Sequence, residues 1–372
     1  MYLPKNNRQI KYHKKEYGNK RKRIAAAMLF LTMFLIVVSF FVPCSVIAQD
    51  YHSKQAPCQE ERIPFRVVSW NIENLFDTHH DSLKNDHEFL PDALRHWNYS
   101  RYKKKLADVA RVITAIGEWN PPALVGLCEV ENDTVLRDLT RRSPLKELNY
   151  RYVMTDSPDL RGIDVALLYQ RDLFKLLSSR SISIPPLRQY RPTRDLLHVS
   201  GLLLTGDTLD VFVCHLPSRS GGAKESEPYR LYAALRTEVD HILNIRSHPQ
   251  VIIMGDFNDY PTNQSIQKIL EAEAPPITAP KPASTLNSTN PSTIVPSSLK
   301  LYHLLARKAK SKSFGSYKYR GEWGLLDHLI VSGTLLNQSS HFFTSEERAN
   351  VCLLPFLLKE DEKYGDKEPF RT

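Results

Sequence analysis

The sequence predicts an α/β protein in which strands and amphipathic helices are mixed through one long unit. Three observations lead there. Eight apolar runs of strand character recur between residues 65 and 332, two stretches repeat apolar residues at helical spacing, and 42% hydrophobic content in 372 residues supplies apolar mass for one large domain or two ordinary ones. The mixture favours two sheets packed face to face and covered by helices, or an open α/β sheet. No internal repeat interrupts it.

The elements follow in order. A leader precedes the body: Lys5, Arg8, Lys11, Lys14, Lys15, Lys20, Arg21, Lys22 and Arg23 stand before the uncharged run Ile24–Val42, which is longer than the usual signal core of roughly 7–15 residues and close to the ~20 that span a bilayer. Residues 1–48 therefore read as a signal peptide, cleaved after Ala48, or as a retained anchor. In both cases the basic end stays inside and the rest is exported. Pro43 before Cys44 makes a poor lipid-attachment site. The leader carries nine of the 50 basic residues and only Glu16 of the 41 acidic ones, which leaves 41 basic and 40 acidic residues in the remainder. The net charge of +9 thus belongs to the leader, and bulk charge on the body says nothing about a partner. Residues 49–62 are polar and read as a linker, and residues 63–372 as the domain.

Strands are expected at 65–72, 124–130, 150–155, 164–169, 196–204, 209–216, 251–257 and 325–332. Helices are expected at 101–119, with Leu106, Val109, Val112, Ile113 and Ile116 on one face, and at 228–245, with Leu231, Leu235, Val239 and Ile242. Two insertions stand out: polar, acidic His79–Asn98, and Ala274–Ser298, rich in Pro, Ser, Thr and Asn. Five cysteines make no disulfide framework in so long a chain, and Cys128 and Cys214, inside apolar strands, read as small buried fillers.

The strands end in an unusual way. In HPQVIIMGDFNDYP the apolar run Val251–Met254 stops at Gly255, and Asp256, Asn258 and Asp259 follow before Pro261 blocks continuation. By itself this is equally an ordinary polar turn. The same pattern recurs, however: Asn71, Glu73 and Asn74 in RVVSWNIENLF, Glu129 and Glu131 in ALVGLCEVEN, His215, Ser218 and Arg219 in LDVFVCHLPSR, and Asp327 and His328 in GEWGLLDHLIVS. Charged groups in apolar strands are costly unless they are paired or hold a metal, so five such ends point to one shared site. Oxygen donors without a Cys cluster suit a hard ion such as Mg²⁺ rather than structural zinc.

The ordered set WNxEN, CEVEN, RGIDVAL, HLPSR, GDFND and LDHLIVS resembles the endonuclease/exonuclease/phosphatase superfamily over about residues 63–335. Each motif is weak alone, and the order is what makes the combination specific. The resemblance implies a four-layer sandwich of two packed mixed β-sheets flanked by helices, with divalent-metal hydrolysis of a phosphoester at one edge of the sheets. It implies that Asn71 and Glu129 hold Mg²⁺, with Mn²⁺ as an alternative and Glu73 as an outer ligand. It further implies that Asp256 orients or deprotonates the attacking water and Asn258 donates to the phosphate. His215 would bond the phosphate or protonate the leaving oxygen, and Asp327 would orient a further histidine. One departure is plain: the family finishes on a strand carrying Ser-Asp-His, and none follows LDHLIVS before Thr372. The expectation is a domain lacking that strand, with an exposed sheet edge and a chain either shortened or weakened in activity.

The expected function is an exported, monomeric, Mg²⁺-dependent phosphodiester hydrolase of endonuclease type, with nucleic acid favoured over phospholipid and the membrane engaged only through an uncleaved leader. The alternatives are a phospholipid or phosphosugar phosphoesterase, a catalytically impaired phosphate-binding relative, and a membrane-tethered structural domain.

Overall fold

In the computed structural model residues 64–185, 191–219, 222–233, 235–277 and 296–370 are described. The leader, its apolar run, the linker, Cys58 and most of the Ala274–Ser298 insertion lie outside them. Among the described residues, no helix is long and apolar enough to cross a membrane.

Two mixed sheets carry the architecture. The first takes β1 (Val67–Leu75), β2 (Leu124–Val130), β3 (Arg151–Met154) and β4 (Asp164–Tyr169) in the order β1-β2-β4-β3, with β1 and β2 parallel and the other pairs antiparallel. The second takes β5 (Phe174–Ile182), β6 (Leu196–Leu203), β7 (Thr208–His215), β8 (Gln250–Asp256), β9 (Leu301–His303) and β12 (Asp327–Ser332) in the order β5-β6-β7-β8-β12-β9, with only β7 and β8 parallel. Short hairpins, β10 (Tyr317–Tyr319) with β11 (Glu322–Gly324) and β13 (Leu358–Glu360) with β14 (Lys367–Pro369), stand apart from both.

Three apolar cores show how the layers stack. Leu124, Val165 and Leu167 of the first sheet meet Val199, Val211, Val213 and Met254 of the second in a central core. The outer face of the first sheet packs on α1 (Tyr99–Gly117) and α2 (Asp133–Arg141), through Leu106, Val109, Ile113 and Leu136 against Val125, Leu127 and Leu168. The outer face of the second packs on α3 (Ala223–Ala233) and α4 (Arg236–Ile245), through Tyr229, Val239 and Ile242 against Phe212, Val251 and Ile253. Strands covered on both faces read as continuous apolar runs, which is why LVGLCEV and DVALLY were visible as strands.

The structure corrects several expectations. The 228–245 helix is two helices, α3 beginning earlier at Ala223 and α4 starting at Arg236. β5 escaped notice because FKLLSSRSI is a largely exposed edge strand rich in serine, with no apolar run. α2 was missed because it is short, although Asn132 caps it by accepting from the Val135 N–H at 3.0 Å. β1 ends its sheet, and among the described residues its outer edge has no strand partner; a cavity of about 700 Å³ lies along it.

His328, the second residue of LDHLIVS, belongs to the core. It is fully buried, and its Nε2 faces the Asp259 carbonyl at 2.9 Å while its Nδ1 faces His303 Nε2 at 2.5 Å. The Leu305 N–H donates to His303 Nδ1 at 3.1 Å. These contacts fix both tautomers: each ring is neutral, donates from Nε2 and accepts at Nδ1. Burial pulls His328 down from 6.5 to about 4, and His303 is also lowered, by burial and by its neighbour. Between those values the unfolded chain binds more protons than the folded one. Stability is therefore full above pH 6.5 and falls as the pH drops toward 4, by up to about 3 kcal/mol for His328. Histidine NMR titration checks this, since a His328 ring titrating near pH 6.5 contradicts it.

Candidate active site

Strand ends from both sheets meet at one point. Asp256 ends β8, and in the sheet register it lies opposite His215, which ends β7, and Asp327, which opens β12. From the first sheet, Asn71 Nδ2 donates to Asp256 Oδ2 at 3.1 Å and to Glu129 Oε1 at 3.4 Å. His215 Nε2 stands 3.9 Å from both Glu129 Oε1 and Asp256 Oδ2. The backbone N–H of Asn258 donates to Asp256 Oδ1 at 2.8 Å, and the Asn258 Nδ2 donates to the Leu216 carbonyl at 3.1 Å.

The backbone is bent to aim these groups. β1 loses register between Asn71 and Leu75, where Glu73 and Asn74 have φ of +54° and +63°; β2 loses register between Cys128 and Val130, where Glu129 has φ of +67°. Asn258 is also left-handed, at +52°. Such conformations cost on the order of 1 kcal/mol or more per residue and gather where a bulge turns a side chain toward a site. Gly255, at φ +135°, is obligatory, because a Cβ there would lie 1.9 Å from the Cys214 carbonyl oxygen.

Carboxylates crowd this point, with Arg194 and Lys105 as cations close enough to act on them. Burial pushes the Asp256 carboxyl above the usual carboxylate range, against the pull of the Asn258 and Asn71 donors. Burial, and then the charge of Asp256, push Asp327 up as well. The Asp327 Oδ1 is buried with no hydrogen-bond partner, and so is His215 Nδ1. His215 is held well below its usual value by burial and by Arg194 and Arg161. Lys105, whose Nζ donates to the Glu73 carbonyl at 3.1 Å, is lowered to about 8 by burial despite the attraction of Glu73 and Glu129.

Asn71, Glu73, Glu129, Asp256 and Asn258 line a cleft of about 1020 Å³. His215, 2% exposed, lies beneath that floor rather than on it, and half-buried Asp327 lines instead the cavity of about 700 Å³ along β1. The rim is basic and aromatic, with Arg95, Trp97, Arg101, Arg219, Tyr260 and Tyr319. The Arg219 guanidinium lies 4.8 Å from the Tyr260 ring, and Tyr317 and Tyr319 are near-parallel at 6.3 Å. A crowded set of amide and carboxylate oxygens, with the partnerless Asp327 Oδ1 across the strand pair, fits a hard divalent cation, which would offset the burial, and the lesser mutual repulsion, that raise both aspartates.

The seven residues to which the resemblance gives roles come together here, whereas Asp259 and His328 of the same strand-end set make buried structural pairings and Glu131 accepts from the Asp77 N–H at 2.6 Å. Others were missed. Lys105 interrupts the apolar stripe of α1, between Tyr102 and Leu106, and that anomaly was a readable signal. Arg194 precedes β6 and reaches the Leu216 carbonyl at 2.7 Å and Asp159 at 3.3 Å, pairings that nothing local announces. The rim tyrosines come from a hairpin without a motif.

Fold and site together define an α/β protein of phosphoesterase type. The chain belongs to the Endonuclease/Exonuclease/phosphatase family, whose model matches residues 66–372. No curated protein matches it in sequence. Among solved structures it is similar to the human Nocturnin catalytic domain with bound sulfate, at 21% identity and a TM-score of 0.46, over 72% of this chain and 83% of that one. It is also similar to a truncated Caenorhabditis elegans TDP2, at 17% identity and a TM-score of 0.44, with the same coverages of 72% and 83%. A third is a mannosyl-6-phosphatase from Bacteroides thetaiotaomicron, at 17% identity and a TM-score of 0.45, over 72% and 85%.

Proposed function

We propose that this chain is a Mg²⁺-dependent phosphodiester hydrolase of endonuclease type, exported behind its basic, apolar leader and acting as a monomer. The observation that carries the reading is the oxygen-lined floor, Asn71, Glu129 and Asp256, at the base of a cleft whose rim alternates arginine with aromatic rings. Arginine forks suit phosphate oxygens, and exposed rings suit unpaired bases, so the rim supports nucleic acid over phospholipid.

Asn71 and Glu129 would hold Mg²⁺, with Mn²⁺ as a substitute and Glu73 as an outer partner. Such an ion, when bound, would supply polarisation of a phosphoryl oxygen and screening of the charge that develops there. Asp256 receives the proton of the attacking water: its oxygens are held by Asn258 N–H and Asn71 Nδ2, and its raised proton affinity suits a base near neutral pH. The second N–H of Asn258 Nδ2 is available to the phosphate. His215, buried and neutral, backs Glu129 and Asp256 from beneath, and Asp327 lies across the strand pair from Asp256.

The test is turnover by the purified full chain on plasmid DNA, RNA, a chromogenic phosphodiester, a phospholipid and a sugar phosphate, with Mg²⁺, Mn²⁺ or EDTA. Metal-dependent cleavage of nucleic acid is the expected result. Turnover in EDTA, or on the sugar phosphate alone, sinks the reading. Tyr319→Ala should raise KM for single-stranded DNA by roughly ten- to a hundredfold, the worth of one stacked base, and leave the chromogenic diester unchanged. Equal effects on both substrates would remove the stacking role.

A further inference from the structure

We propose that His80, Asp86 and His87 form a second metal site, for a zinc-type divalent ion, that pins the loop forming one wall of the cleft. The three residues each offer a ligand atom, and these atoms lie within 4.8 Å of one another. His80 Nδ1 already meets Asp86 Oδ1 at 2.5 Å, and the His80 and His87 rings stand 4.4 Å apart. Asp86 is 2% exposed and is fixed by the Asp81 N–H, which donates to its Oδ2 at 2.8 Å. In a tetrahedral shell with bonds of about 2.0–2.1 Å, ligand atoms stand roughly 3.4 Å apart. The site thus needs an adjustment of about 1 Å, which two exposed imidazoles can make by side-chain rotation around a fixed buried carboxylate.

The loop is held in place before any ion arrives. The Asn85 N–H donates to the Leu160 carbonyl at 2.7 Å, and Lys84 Nζ donates to the Ser157 and Asp159 carbonyls at 2.7 and 3.0 Å. Phe89 stacks on Phe76 at 4.0 Å, and Trp97 Nε1 donates to the Phe76 carbonyl at 3.0 Å. Lys84 is the only Lys or Arg between residues 77 and 92, and it is turned to those carbonyls, so the carboxylates of Asp77, Asp81 and Asp86 share no local cation. Two borderline imidazole donors joined by one hard carboxylate make a set suited to zinc. The cleft floor is all oxygen and suits a hard ion, so the two positions select different metals. Phe89, Arg95 and Trp97 line the cleft a few residues on, so an ion here stiffens that wall without joining the chemistry.

The experiment is calorimetric titration of the metal-stripped full chain with ZnCl₂ in excess Mg²⁺, beside His80→Gln/His87→Gln, each single histidine variant, and Glu129→Gln. The expected result is one zinc equivalent that survives Glu129→Gln. The double histidine variant should weaken it by more than the roughly 100-fold typical of losing an outer-shell partner. Co²⁺ should give a visible tetrahedral d–d band in the parent and Glu129→Gln, and none in the histidine variants. Zinc binding unchanged in the double variant, or lost in Glu129→Gln, overturns the site. Both histidines are exposed, and equal melting temperatures in EDTA would show that the variants fold.

Discussion

Asp256→Asn and Glu129→Gln are each expected to abolish hydrolysis while the protein stays folded. Asp256→Asn removes the proposed proton acceptor, and loss of a general base costs about 10²–10⁴ in rate. Glu129→Gln keeps the shape of the side chain that Asn71 Nδ2 reaches but removes one of the charges expected to hold the cation, whose electrostatic contribution is worth several kcal/mol. Neither change should destabilise the fold. Asp256 is raised above its unfolded value chiefly by burial, so its ionised form costs stability as the pH rises, and the neutral amide removes that cost. A higher melting temperature at pH 8 in EDTA should therefore accompany the loss of kcat in Asp256→Asn, as when a strained site trades stability for activity. Turnover within tenfold of the parent in both variants would mean that the catalytic floor lies elsewhere.

The largest effect on stability is expected at Arg230. Its Nε donates to Asp259 Oδ1 at 2.7 Å, its Nη1 to Ser226 Oγ at 2.7 Å and its Nη2 to the Ala223 carbonyl at 2.7 Å, and both members of the ion pair are 1% exposed. Ser265 Oγ donates to the other Asp259 oxygen at 2.7 Å. Arg230→Met leaves the Asp259 carboxylate buried without its cation, a loss that typically costs 3–5 kcal/mol. Arg230→Met with Asp259→Leu removes both charges and should recover most of it, because a pair replaced by apolar groups leaves no orphan. Urea unfolding of the two variants and the parent measures this directly. A loss below about 1 kcal/mol in the single variant would mean that the carboxylate finds water or a proton at little cost. The pair also matters to the site: it ties α3 to the turn that carries Asp256 and Asn258, so a partial loss should appear in kcat as well.

The sequence alone determined the elements that are buried on both faces. Leu124–Val130 and Asp164–Tyr169 occupy the residues their apolar runs marked, and the polar residues that ended several such runs converge in one cleft. Those features are local: a continuous apolar run that stops at a charge means the same thing in any fold that buries strands. What only the tertiary structure decided depends on partners distant in the chain. Whether the site histidine lines the cleft or lies under it was not legible, because the depth of His215 follows from the order β7-β8-β12 and not from its neighbours in the chain. The same holds for Asp259, which sequence leaves as one more acid in GDFND and which the fold pairs with Arg230 across α3. His328 looked chemical by its residue type, and His303 from a separate strand makes it structural. The left-handed bends at Glu73 and Glu129 arise where register slips between neighbouring strands, a property of pairing that a single strand's sequence does not contain.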